Sequence, residues 1–311
     1  MTTCVSLNPT TDLTLNIPFF KRNRVLRVPD IFSYPGGKPT NTARALFALG
    51  HKVSVTGFCA DAEKNKTDCF MKKHGVKPLF VPVKGKSRGC VLINEYKNGS
   101  ETVINSEGSI KITETNIQAL LKTIKRLAPE SFFMVFSGSL PRALSENFYY
   151  TALKTAAPFT KTFLDTAGRP LKKALYAAPD ILKINEDEFA GAFNIKNRSQ
   201  NKIKEKCLGL IKKHNINAVI ITMHEKGAVL ISKKESLFCP AAPVKKAISP
   251  VGAGDAFSAG FIRAAAEKKG RKKSLETATA AAGAALLKPG SCFINKKDVL
   301  YFMKKIKAVK Y

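Results

Sequence analysis

The stretch Ser249-Pro250-Val251-Gly252-Ala253-Gly254-Asp255-Ala256-Phe257 sets two glycines two residues apart, then a carboxylate, then a small and apolar run. It reads as a loop feeding a helix. Gly252 and Gly254 permit a tight turn and close backbone approach to a ligand, and the first-turn amides point outward at the positive end of the helix dipole. Such an end attracts phosphate. Asp255 would repel that anion if binding were the only task; its placement makes sense where a carboxylate takes a proton while an anion develops beside it. That chemistry is phosphoryl transfer to a hydroxyl. A glycine turn with an Asp N-cap accounts equally well for so short a string, so a second, independent half of a site is needed.

Tyr34-Pro35-Gly36-Gly37-Lys38-Pro39-Thr40-Asn41 supplies a candidate for it: a diglycine turn opening an amphipathic helix that stops at Gly50. A lysine and an asparagine head this helix, where Pro39 costs little because early helical amides are unpaired anyway. A loop-helix junction with an incidental lysine is the plainer reading of the same residues.

The elements that must position these loops follow from periodicity. A short strand near Cys4 runs into Asn8-Pro9, where proline forces an exit and leaves Asp12 just beyond the strand end. From residue 115 onward helices and apolar strands alternate, which predicts an α/β fold with a doubly wound, mostly parallel sheet flanked by helices. Ser137-Gly138-Ser139, Asp165, Asn185 with Glu188, and Thr222 all come directly after apolar strands, at the carboxyl edge where open α/β sheets bind ligands. Strands over 227–231 and 236–238 lead to the Gly252 loop, and the alanine-rich run 277–287 predicts a closely packed helix. Two blocks stand apart. Residues 12–35, with Pro18 and Pro29, alternate loosely like edge strands, and 86–107 read as a hairpin turning at Asn98-Gly99. Isolated between helices, they are expected to join in a small discontinuous β-sheet lid on a single domain spanning 1–311.

Composition narrows the setting. Hydrophobic residues at 44% suffice for a large core, no apolar run approaches the roughly 20 residues that cross a bilayer, and Met1 to Pro9 lack a signal pattern. A cytoplasmic protein without a membrane partner is expected. Seven scattered cysteines with no CxxC pair indicate reduced thiols rather than a disulfide framework or a zinc site. Fifty-two Lys and Arg against 23 Asp and Glu leave a net charge of +29, open to nucleic acid, an anionic surface or phosphorylated substrates. The basic residues cluster in helix-like stretches such as 196–213, 268–273 and 296–310, without interleaved aromatics. That pattern favours a solvated lysine-rich face with non-specific, salt-sensitive binding of polyanions.

Five ordered motifs carry a family resemblance. Leu7-Asn8-Pro9-Thr10-Thr11-Asp12, Gly36-Gly37-Lys38 with Asn41, Ser137-Gly138-Ser139-Leu140-Pro141, Lys183-Ile184-Asn185-Glu186-Asp187-Glu188, and Val251-Gly252-Ala253-Gly254-Asp255-Ala256-Phe257 match nearly end to end. The chain resembles the PfkB (ribokinase-like) carbohydrate kinases, within them the branch of 1-phosphofructokinase and tagatose-6-phosphate kinase. The resemblance implies that Asp255 deprotonates the acceptor hydroxyl and that the amides of Gly252, Ala253 and Gly254 form the anion hole. It implies that Asp12, Gly37 and Asn41 hold sugar hydroxyls, with Ser139 also in the substrate site, and that Lys38 and Arg88 grip the phosphate already on the sugar. Asn185 and Glu188 would organise Mg²⁺ through water around the ATP phosphates, with Lys183 nearby; Thr222, Gly227, Ala282 and Leu286 would line the nucleotide pocket. The lid would close over the sugar, and its edge strands suit a homodimer through the lid.

Three positions depart from the family pattern: Pro39 follows Lys38 in place of glycine, Pro250 precedes the last motif, and Cys90 stands where asparagine is usual. The expected function is ATP- and Mg-dependent phosphorylation of a phosphorylated ketohexose, fructose 1-phosphate or a tagatose or fructose 6-phosphate. The alternatives are a free-sugar or nucleoside kinase of the same family and a non-catalytic basic binding or scaffold protein on the same fold.

Overall fold

In the computed structural model, which describes residues 1–28 and 31–311, a ten-stranded sheet carries helices on both faces and a separate four-stranded sheet stands over one edge of the cleft. The first strands are β1 (Thr2–Ser6), β2 (Thr10–Ile17) and β3 (Ile31–Gly36), followed by α1 (Lys38–Ala48), β4 (Val53–Ala60), α2 (Asp61–Lys73) and β5 (Lys77–Val83). The hairpin β6 (Arg88–Glu95) and β7 (Ser100–Asn105) precedes α3 (Glu114–Leu127), β8 (Phe133–Ser137), α4 (Phe148–Ala156), β9 (Lys161–Asp165) and α5 (Gly168–Ala174). Then come β10 (Ile181–Asn185), α6 (Glu186–Phe193), α7 (Gln200–His214), β11 (Ala218–Thr222), β12 (Gly227–Ser232) and β13 (Ser236–Pro240). The chain ends in α8 (Ala253–Ala266), α9 (Gly270–Ala285), α10 (Lys296–Met303) and β14 (Val309–Lys310).

The large sheet runs β14-β13-β12-β11-β10-β9-β8-β1-β4-β5, parallel from β5 through β11 and antiparallel beyond. Period-two alternation splits its side chains between two cores. Val5, Met134, Phe136, Leu182 and Ile221 pack under α3 to α7, whereas Cys4, Phe133, Val135, Ile181 and Ile220 pack under α1, α8, α9 and α10. Strand order reverses between β1 and β8, which opens a crevice at their carboxyl ends. There the polar strand ends come into line, with Ser6 beside Ser137, Ser137 beside Asp165, and Asn185 beside Thr222.

The two isolated blocks pair as expected into one sheet of order β3-β2-β6-β7. β2 begins two residues earlier than the sequence indicated, at Thr10, so Asp12 lies within a strand rather than just past one. Pro9 ends β1 and the chain re-enters β structure at once, in the other sheet. Part of the 12–35 block, Pro29 and Asp30, lies outside the described residues. Periodicity also missed β5, whose Pro78 and Pro82 disguise an edge strand, and α6, an eight-residue helix too short to show a period. The basic 296–310 stretch is a helix followed by the last edge strand, not one helix.

β1 and β4 approach closely at one point. Gly57 has φ near +128°, and a Cβ there would stand 1.7 Å from the Ser6 carbonyl oxygen. Gly57→Ala should therefore destabilise the protein by more than about 1 kcal/mol. A shift of the urea midpoint to lower concentration checks it, and an unchanged midpoint would show that the β1-β4 junction yields.

Candidate active site

Both glycine-bearing helix mouths open into one cleft of about 960 Å³, lined by Asp12, Gly37, Lys38, Asn41, Arg88, Lys183, Asn185, Glu188, Thr222, Gly227, the 250–255 loop, Ala282 and Leu286. At the head of α8, Gly252 adopts a left-handed conformation with φ near +80°. A Cβ at Gly252 would lie 2.4 Å from the Cys292 amide nitrogen, so only glycine fits. The Ala253 amide donates to the Pro250 carbonyl at 3.2 Å, while the Gly252 and Gly254 amides have no backbone partner among the described residues. Of the three amides expected to form an anion hole, two are free and one is shared with the turn.

Asp255 follows in the first turn of α8, 6% exposed. Asn41 Nδ2, on the first turn of α1, donates to its Oδ2 at 2.9 Å, a direct bond between the two helix mouths. Burial pushes the Asp255 carboxyl up to about 6 against the opposing pull of Lys38 and the Asn41 hydrogen bond. At neutral pH it is ionised yet far more basic than a surface aspartate.

Behind it lies a charge cluster. Asp165, which ends β9 and is fully buried, accepts from Lys38 Nζ on one oxygen and Lys183 Nζ on the other, each at 2.8 Å. Burial alone would raise this carboxyl, but the two ammonium groups outweigh it and hold the pKa near 2. Burial opposes the charge on Lys38, yet Asp165, Glu188 and Asp255 together hold its pKa above the ordinary value. Lys38 also reaches to 3.8 Å from Glu188 Oε1. It is therefore an anchored cation between carboxylates, a third exposed, rather than a free ammonium at the mouth.

Asn185 and Glu188 form a capping box at the start of α6: Glu188 N–H donates to Asn185 Oδ1 at 2.7 Å and Asn185 N–H to Glu188 Oε2 at 3.2 Å. Asn185 is thus tied to the helix, and of Glu188 the oxygen nearer Lys38 is left toward the cleft. Among the described residues no three His, Cys, Asp or Glu side chains gather into a metal cage. One or two carboxylate oxygens near phosphates are the donors a hydrated hard cation takes, and Glu188 fits that description.

Asp12 projects from β2 beside Cys90 of β6. Burial raises its carboxyl, partly offset by the Ser291 side chain, by Arg44 and Arg88, and by the Gly37 backbone. Arg88 Nε donates to Thr10 Oγ1 at 2.8 Å and one terminal nitrogen to Asn105 Oδ1 at 3.2 Å, which fixes its fork between β2 and β7. A side chamber of about 630 Å³ joins the cleft at Gly37, Lys38, Arg88 and Glu188 and contains Ser139, whose Oγ accepts from Asn8 Nδ2 at 3.0 Å. Thr222, Gly227, Ala282 and Leu286 gather at the opposite end of the cleft with Ala241 to Val244. No motif pointed to this 241–244 segment, or to the buried Arg44, Tyr34 and Ser291 beneath the site; Arg44 alone left a trace, standing three residues after Asn41 and so on the same helix face.

The model of pfkB family carbohydrate kinases matches residues 1–298. The chain belongs to that family. Among its relatives, a 1-phosphofructokinase of Borreliella burgdorferi is 30% identical over 297 residues, covering 95% of both chains. A tagatose-6-phosphate kinase of Staphylococcus epidermidis is 28% identical, covering 89% of each. The solved structure of phosphofructokinase-2 from Escherichia coli superimposes with a TM-score of 0.90 over 98% of both chains at 20% identity, a likeness of fold. Family membership gives the residues of the cleft a common context, that of a carbohydrate kinase with ATP as phosphoryl donor.

Two buried carboxylates of opposite tendency give opposite pH signatures. Asp165, held low, contributes stability that is present above the unfolded value of about 3.9 and is lost as pH falls toward 2. Asp165→Asn should cost about 3–5 kcal/mol at pH 7, since it strands two lysines, with the gap to wild type narrowing below about pH 4. Asp255, held high, contributes below about pH 3.9 and loses that contribution as pH rises through about 6. Asp255→Asn should therefore melt above wild type at pH 8 and together with it at pH 4, as measured by thermal melts across pH.

Proposed function

We propose that the protein is an ATP- and Mg²⁺-dependent kinase of a phosphorylated ketohexose, of the kind its 1-phosphofructokinase and tagatose-6-phosphate kinase relatives are named for. The observation that carries the reading is the 2.9 Å bond from Asn41 to Asp255, which joins a buried, basic carboxylate to the sugar end at the mouth of an amide-rich helix. Asp255 Oδ1 accepts the proton of the acceptor hydroxyl as its oxygen attacks the γ-phosphorus of ATP. The new O–P bond forms, the bond to the β,γ-bridging oxygen breaks, and ADP leaves with that electron pair. The amides of Gly252, Ala253 and Gly254 face the transferring group, as positioning and charge neutralisation supply most of such catalysis.

Asp12, Gly37 and Asn41 bind the sugar hydroxyls in this reading. Arg88 and Ser139 hold the existing phosphate, Arg88 because its fork is fixed and donor-only. Lys38, anchored by Asp165, stands between sugar and nucleotide and neutralises charge there rather than serving as a dedicated sugar-phosphate clamp. Glu188 and Asn185 would hold Mg²⁺ through water, and the ion would supply charge neutralisation at the ATP phosphates. Lys183 lies under the phosphates beside Gly254, and Thr222, Gly227, Ala282 and Leu286 receive the nucleoside.

The small sheet serves as a lid over the sugar, excluding water as a competing acceptor. Its face opposite Asp12 carries Leu13, Val91 and Ile104 in one cross-strand row, with Ile104 half exposed, which suits a second copy of the chain.

The deciding experiment is ADP release across phosphorylated and free sugars. Turnover should appear with a phosphoketohexose, fall about 10²- to 10⁴-fold in Asp255→Asn, and decline in kcat/KM below about pH 6 as Asp255 takes a proton. Arg88→Ala should raise KM for the phosphosugar with KM for ATP unchanged, and Glu188→Gln should raise the Mg²⁺ concentration needed for half-maximal rate. Equal turnover of free and phosphorylated sugars would redirect the assignment to the free-sugar alternative. No turnover on any sugar, with salt-resistant nucleic-acid binding, would favour the non-catalytic one.

A further inference from the structure

Arg44 lies directly beneath the site and does not itself line the cleft. It is 4% exposed, its guanidinium carbon 4.2 Å above the Phe293 ring and 5.5 Å from each of the Tyr34 and Phe70 rings. One terminal nitrogen, Nη2, donates both to Asn41 Oδ1 at 2.7 Å and to the Ser291 carbonyl at 2.8 Å. Nε and Nη1 are buried and make no hydrogen bond among the described residues. A guanidinium buried with two idle donors is a costly way to fill a core, so its two contacts are the place to look for its role.

Both contacts lead to reacting groups. Arginine has no acceptor, so the oxygen of the Asn41 amide must face it and the nitrogen must face the other way. That nitrogen meets Asp255 Oδ2. Arg44 thereby sets which end of the Asn41 amide Asp255 sees: a donor, which holds one carboxylate oxygen and leaves the other for the substrate proton. Flipped, the amide would present its oxygen to a carboxylate and repel it. The second contact holds Ser291, whose amide donates to Tyr34 Oη at 2.8 Å on the lid strand β3. The next residue, Cys292, is the one packed against Gly252.

We propose that Arg44 is a positioning residue for phosphoryl transfer, its fork fixing the Asn41 amide so that Asp255 is held in its proton-accepting pose while the Ser291 arm keeps the Gly252 turn in register with it. This rests on Asp255 being the base. The groups facing Asp255 are Lys38 and Arg44 from α1, Asp165 from β9, Lys183 from β10, Cys4 from β1 and Cys292 from the loop after α9. Removing the arginine charge from this set favours the protonated carboxyl.

The test compares Arg44→Lys and Arg44→Gln, each alone and with Asn41→Ala, against Asp255→Asn, with thermal melts reporting folding. Arg44→Gln should lower kcat on the order of 10²-fold, change KM for ATP little, and move the acid limb of kcat/KM to higher pH. Arg44→Lys keeps the charge and loses the fork; it should lower kcat while leaving the acid limb near its wild-type position, and it carries the test if Arg44→Gln does not fold. In the Asn41→Ala background either substitution should cost markedly less than alone, because the amide it orients is gone. Additive losses in that cycle, or kcat and acid limb within twofold and 0.2 pH of wild type on the order of assay error, would overturn the proposal. Wild-type turnover in Asp255→Asn would instead bring down the base assignment itself.

Discussion

Asp165 is buried with one ammonium group on each carboxylate oxygen, Lys38 reaching in from α1 and Lys183 from β10. Asp165 or Lys183 alone would be an expensive buried charge, and the three together leave one net positive charge in the cleft. Because Lys38 belongs to α1 and Lys183 to β10, the triad ties the helix to the strand across the cleft. The desolvation of this cluster is offset only while all three members are present, which makes it a register pin as much as a source of stability.

From that pin the site's asymmetry follows. Asp165 is saturated with cations and stays strongly acidic; Asp255 accepts one side-chain hydrogen bond and feels Lys38 and Lys183 against the opposing charge of Asp165, so burial dominates and its affinity for protons rises. Two aspartates of identical intrinsic chemistry thus divide into a strongly acidic and a more basic carboxyl by environment alone, as in other paired-carboxylate sites. The free amides of Gly252 and Gly254 face the same volume, and the backbone of Cys292 packed against Gly252 keeps the turn from relaxing.

The three departures from the family pattern fall where the structure absorbs them. Pro39 is the second residue of α1, where its missing amide has no helical partner to lose, and the first turn is closed by Thr40 Oγ1 and the Asn41 amide on the Gly37 carbonyl. Pro250 stays exposed and offers its carbonyl to the Ala253 amide. Cys90 lines the cleft next to Asp12, where burial raises the thiol and keeps it neutral. A neutral thiol there replaces an amide's donor and acceptor with a weak donor, a change confined to the cleft wall beside Asp12.

The sequence by itself determined the alternating elements, the carboxyl-edge position of Ser137, Asp165, Asn185 and Thr222, and the two glycine-bearing helix mouths, because these depend on period, turn chemistry and order along the chain. It also indicated that 12–35 and 86–107 belong to one sheet, since neither block had neighbours to pair with nearby. Only the tertiary structure decided what each charged group faces. Lys38, expected to grip the phosphate on the sugar, is committed to Asp165 and Glu188; Asn185 and Glu188, expected to organise a metal, also cap α6; Arg44, which no motif singled out, lies buried under the site. Partners 127 or 214 residues away, as for Lys38 with Asp165 and Asn41 with Asp255, leave no local pattern. The electrostatic character of a side chain is set by such neighbours and by its distance from water, and neither is written in the spacing of residues along the chain.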